Sequence, residues 1–151
     1  MDVSYFQRLF NYDFWANERL LAAMEATPEL AEEAVKKMSH LLAAKAIWAA
    51  RLMPGIQVPP LDGMFPAEER RRLNGELKAC MDEYLAQLKD EQLEGKVGYK
   101  NLKGMPYENV LSDILAHMVN HGTYHRGQVA SFTKRSGGSP PGTDYIGFVR
   151  E

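Results

Sequence analysis

The apolar positions of the first part of the chain fall at helical spacing. Between Val3 and about Ala26, Phe6, Leu9, Phe10, Phe14, Leu21 and Met24 recur every few residues with no glycine or proline among them. This predicts an amphipathic helix that ends near Thr27-Pro28. Asn17 falls on the same stripe, so its side chain is expected to point inward and to be hydrogen-bonded there. A second helix is predicted from about Leu30 to Met53, with Val35, Met38, Leu41, Leu42, Trp48 and Leu52 facing inward and Pro54-Gly55 as its stop.

The stretch "PGIQVPPLDGMFP" that follows is rich in proline and reads as a loop. It is long for the link between two antiparallel helices and could cross one end of the molecule. A third helix opens at Pro66 with acids in its first turn and is expected to run to near Gly95, with Gly75 a weak point inside it. "KVGYKNLKGMPYENV" mixes glycines with Val97, Tyr99 and Leu102 and reads as a loop or short hairpin-like excursion. A fourth helix is predicted to open at Tyr107 or Glu108 and to continue through Val110, Leu111, Ile114, Leu115, Met118, Val129 and Phe132 to about Arg135, where "GGSPP" breaks it. In the tail, Tyr145, Ile146, Phe148 and Val149 are too apolar to be left in water. Four long amphipathic helices and no alternating pattern predict an all-α, single-domain four-helix bundle over residues 1–151.

Composition narrows the function. With 45% apolar and 25% charged residues the chain is that of an ordinary globular domain. A formal charge of −2 gives no large positive field for phosphate backbones, so no nucleic-acid partner is expected, and Arg70, Arg71 and Arg72 read as a solvated helix face. The single cysteine, Cys80, cannot form an internal disulfide and reads as a small core residue in a reducing compartment. The N-terminus lacks the apolar run of a signal peptide, and the longest apolar stretch is interrupted by Lys45 and Arg51. A cytoplasmic location without a membrane partner is expected.

Three of the four histidines stand at intervals of four in "HMVNHGTYHRGQ", residues 117–128. Residues four apart on a helix differ by roughly 40° in azimuth, so neighbouring members of the series share a face while His117 and His125 diverge by about twice that. At most two of the three can therefore meet one ion. His121 and His125 lie on or beside the apolar stripe, and His40 sits midway along the second helix, so residues from facing helices can meet inside. A pair plus a distant histidine gives three neutral nitrogen donors with coordination positions left open. Spacing alone leaves two readings standing, a metal site and a set of hydrogen-bonded core histidines.

Other metalloenzyme signatures are absent. The residues after the histidines are Met118, Gly122 and Arg126 rather than glutamate, which argues against a zinc peptidase, and no ExxH pair supports a di-iron site. Arg126 reads as a structural ion-pair donor, and Gln128 as a residue that orients a ligand or bonds to a neighbouring helix. Tyr12, Trp15 and Trp48 read as core aromatics. No catalytic residue is assigned.

With these residues in hand the chain resembles the DinB family, the DinB/YfiT-like metalloenzymes. The likeness runs along nearly the whole chain: "YDFWAN" is similar to the family's first-helix signature, "SHLLAAKAIW" to its second-helix segment, and "HMVNHGTYHRGQV" to its specific fourth-helix motif. The resemblance implies a four-helix bundle, commonly a homodimer, that holds a divalent metal such as zinc or nickel on His40, His121 and His125. It places His117 outside that triad, in the core or in support of the ligands alongside Gln128 and Arg126. Where members often carry glutamate five residues after the second-helix histidine, this chain has Lys45.

Some relatives are thiol-dependent transferases that use bacillithiol, mycothiol or glutathione. A thiol at an open metal position loses its proton and attacks an electrophile, and the protein then needs no nucleophilic cysteine. The expected function is therefore a metal-dependent thiol S-transferase acting on small electrophiles. The alternatives are a metal-dependent hydrolase that activates water, and a non-catalytic metal- or ligand-binding protein of the stress response.

Overall fold

Residues 2–151 are described in a computed structural model of the protein. Helix α1 spans Val3–Glu25, and Asp2 opens it by accepting the backbone N–H of Tyr5 at 3.0 Å. Helices α2 (Glu32–Leu52) and α3 (Ala67–Gln87) each begin with two acids, which suits the positive end of a helix dipole. Helix α4 runs over Leu111–Arg135 and ends at Ser136, followed by Gly137 at φ 90°.

The four long helices bury one core. Phe6, Phe10 and Phe14 of α1 meet Met38, Leu41 and Leu42 of α2, Leu77, Met81 and Leu85 of α3, and Leu115, Met118 and Val129 of α4. Helix α1 packs on α3 and α4, and α2 packs on the same two. Asn17 is fully buried, as its place on the apolar stripe predicts, and donates to Asn74 of α3 at 3.0 Å.

The fold is mostly helical rather than all-α, because residues 96–110 form a two-stranded antiparallel sheet. Strand β1 (Lys96–Lys100) pairs with β2 (Pro106–Val110) with Tyr99 opposite Tyr107. Asn101 shapes the turn by accepting the backbone N–H groups of Lys103 and Met105, and Gly104 at φ 80° closes it. Helix α4 thus opens at Leu111, later than Tyr107 or Glu108, since those residues are committed to the ladder.

Helix α3 also stops short of Gly95. Leu88 and Lys89 turn extended, and a 3-10 turn over Asp90–Glu94 follows. Gln92 accepts the N–H of Lys89 at 2.9 Å and Asp90 accepts the N–H of Val3 at 2.9 Å, so side-chain bonds to the backbone compete with continuation of the helix.

Three further expectations are corrected. Arg70 is buried and donates to the Phe65 carbonyl at 2.6 Å, so only Arg71 and Arg72 lie on the solvated face. Cys80 is partly exposed rather than in the core. In the tail, the short helix α5 (Tyr145–Phe148) packs Tyr145 on Tyr12 and Phe148 on Trp15, while Ile146 and Val149 remain exposed. Among the described residues, no helix is long and apolar enough to cross a membrane.

Candidate metal centre

Helices α2 and α4 lie side by side and antiparallel. The His40 ring is 4.7 Å from His125, and one stretch further along Trp48 is 5.1 Å from His117. The first of these pairings gathers three histidines. One nitrogen from each of His40, His121 and His125 lies within 4.8 Å of the others. His125 is buried, and His40 and His121 are half-buried, so the cluster opens on one side to solvent.

His117 does not contribute to this group. It is exposed, its ring centroid 5.6 Å from His121, and its packing partner is Trp48. Trp48 is itself only half-buried, and the Arg51 guanidinium stacks 4.2 Å above it and 4.6 Å from Tyr99.

The protonation of the cluster follows from its surroundings. Burial, then the charges of His125, His117, His40 and Lys45, push the His121 imidazole down to about 4. Burial and His125 hold His40 below its ordinary value, against a hydrogen bond to the backbone of Leu61. The face of the exposed His117 ring that packs on Trp48 is shielded from water, and this partial desolvation, then the charge of Arg51, holds the ring below its ordinary value. At neutral pH these rings are neutral and present lone pairs, the form a metal ion needs.

Tautomers follow from the neighbours. Gln128 Oε1 lies 2.8 Å from His125 Nδ1, so with that amide orientation Nδ1–H donates and Nε2 carries the lone pair. His125 Nε2 in turn faces His121 Nε2. An acceptor behind a ring nitrogen fixes both tautomer and ring orientation, as it does behind metal-bound histidines.

Beneath the histidines lies a buried ion network that the sequence did not reveal. The Asp13 carboxylate of α1 accepts from Lys45 Nζ of α2 on one oxygen and from Arg126 Nη1 of α4 at 2.6 Å on the other. Arg126 Nη1 also reaches Asn17 Oδ1 at 3.0 Å, and Nη2 reaches Thr123 Oγ1 at 3.1 Å. Asp13, Lys45 and Arg126 are all buried, and removal from water lowers the Lys45 ammonium despite its carboxylate partner. Gly122 makes room for the network, because a Cβ there would lie 2.5 Å from Asp13 Oδ1.

Arg126 is thus the ion-pair donor its position predicts, and Lys45 pairs with Asp13 rather than with the histidines. Asp13 was missed because an acid flanked by aromatics in "YDFWAN" gives no local sign that its partners come from two other helices. The missed signal was the pair of cations, Lys45 and Arg126, each adjoining an apolar stripe.

The fold and this cluster define a mostly helical, single-domain protein with a histidine triad shared between two antiparallel helices. The model of the DinB family matches residues 1–151, and the chain belongs to that family. It is 23% identical over 154 residues to Protein DinB of Bacillus subtilis strain 168, covering 91% of this chain and 90% of the relative. A crystal structure of a DinB-like protein from Bacillus cereus superposes with a TM-score of 0.70 at 18% identity, covering 93% of this chain and 97% of that one, which shows a shared fold.

Proposed function

We propose that the protein is a four-helix-bundle metalloprotein that binds one divalent ion, zinc or nickel, on His40, His121 and His125, and uses it as a thiol S-transferase toward small electrophiles. The observation that carries this reading is the convergence of three ring nitrogens within 4.8 Å from helices far apart in sequence. Hydrogen-bonded core histidines would each seek a separate carbonyl or hydroxyl. Here His125 and His121 turn their Nε2 atoms toward one another instead.

The donor set fits the ion. Three converging imidazoles, of which His121 and His40 are kept neutral by burial, match the nitrogen ligands of catalytic zinc sites and would leave positions open toward solvent. When bound, the ion would act as a Lewis acid that lowers the pKa of a thiol or water at an open position. The residues of the chain would do the remaining work. Gln128 holds the His125 ring in its tautomer, and the Asp13–Lys45–Arg126 network fixes the two histidine-bearing helices against α1.

The test is metal content beside activity. Untagged protein should carry about one ion per chain, lost on His40→Ala, His121→Ala or His125→Ala and kept on His117→Ala. Metal-loaded protein should consume a model electrophile only with a thiol present, and chelation should stop it. Turnover without thiol would identify a hydrolase, and no metal after reconstitution with zinc or nickel would overturn the reading.

A further inference from the structure

Next to the histidine cluster is a cavity of about 380 Å³ walled by Lys36, Lys37, His40, Leu61 and Asp62. It adjoins the cluster through His40, and the loop between α2 and α3 roofs it through Leu61 and Asp62.

Among the described residues, several exposed cations are held by carboxylates, whereas Lys36 and Lys37 are not, a state they share with Arg8, Lys89 and Lys134. Arg19, Arg71, Arg72, Lys78 and Lys96 each have a carboxylate within 4.0 Å. Glu32 and Glu33 stand four residues before Lys36 and Lys37, the favourable order for pairs along a helix. Yet among the described residues neither lysine forms an ion pair, and both line the cavity instead. With Asp62 counted, the wall carries one net positive charge.

We propose that this cavity is the subsite for an anionic group, a carboxylate in the first instance, on a small molecule whose donor atom occupies the ion held by His40, His121 and His125. The inference rests on the metal reading above and adds to it the charge of the ligand. Lys36 and Lys37 attract the anion, and Asp62 sets an upper limit on that attraction and disfavours ligands of higher charge.

The test uses cobalt(II)-loaded protein, whose absorption spectrum reports thiolate coordination. Titrations with 3-mercaptopropionate and with uncharged 2-mercaptoethanol give an affinity ratio for each variant, so intrinsic differences between the thiols cancel. Lys36→Gln/Lys37→Gln should lower the preference for the acidic thiol about fivefold, Asp62→Asn should raise it, and 2-mercaptoethanol binding should stay unchanged in both. The effect should shrink as salt is added. A purely structural role for these residues would move both thiols together and would not give opposite signs. Cobalt binding with an unaltered ratio overturns the subsite alone, an added phosphate ion that competes only with the acidic thiol extends it to phosphate-bearing ligands, and failure to bind cobalt overturns the metal reading and the subsite with it.

Discussion

His121 Nε2 and His125 Nε2 lie 3.1 Å apart on successive turns of α4, with His40 closing the third side from α2. Because Gln128 Oε1 accepts a hydrogen bond from His125 Nδ1–H, the lone pair on His125 Nε2 is aimed at its neighbour. The same geometry that forms one hydrogen bond between neutral rings would serve two metal bonds when His121 presents its own lone pair.

Replacing Gln128 with Leu removes the acceptor that fixes this tautomer. Metal affinity, measured by competition with a chromophoric chelator, should fall about 10- to 100-fold while the far-UV spectrum is unchanged. An unchanged affinity would show that Gln128 does not orient the ring.

Asp13 is the shared partner of two buried cations. Asp13→Ala should destabilise the protein by about 3–5 kcal/mol in chemical denaturation, because Lys45 and Arg126 are then left without a counter-charge. Lys45→Met should be far milder, since the Asp13–Arg126 pair survives and Phe10 and Phe14 already flank the site. Equal losses in the two variants would contradict this ordering.

Two helical glycines should respond with opposite signs. Gly122→Ala drives a methyl group into Asp13 Oδ1 and should cost about 1–3 kcal/mol. Gly75→Ala meets nothing within 4 Å on an exposed face of α3 and should stabilise by about 0.5–1 kcal/mol. Denaturation midpoints of both variants check the pair.

The depressed His121 pKa makes a signed prediction for metal-free protein. Unfolded His121 takes a proton near pH 6.5, whereas the folded ring resists until about pH 4. Between those values the unfolded state binds more protons, so stability is full above pH 6.5, declines as pH falls toward 4 and levels off below it for this group. His121→Gln should show a shallower decline across that window. A parallel decline in the variant would place the pH dependence elsewhere.

How much of this was legible in the sequence differs between elements. The stripe from Phe6 to Met24 and the break at Pro54-Gly55 specify α1 and the end of α2 locally, and the structure follows them within a few residues. The hairpin was half-legible: its glycines marked an excursion, but the period of Val110, Leu111 and Ile114 extended the helix too far, because pairing with β1 overrides local preference. The histidine spacing on α4 could be read directly, while the approach of His40 needed the packing of α2 on α4. The Asp13 network was legible only in pieces, since Arg126 could be read as an ion-pair donor and Lys45 interrupts an apolar stretch, but the partners of Asp13 stand 32 and 113 residues away.

That separation also bears on the order in which the chain can be completed during synthesis. Helix α1 is made before α2 and α4, carrying a carboxylate that must remain hydrated until its partners arrive. Lys45 follows early, but Arg126 is made 113 residues after Asp13, within the last long helix. The first helix therefore cannot complete its buried contacts until α4 has been made and packed against it.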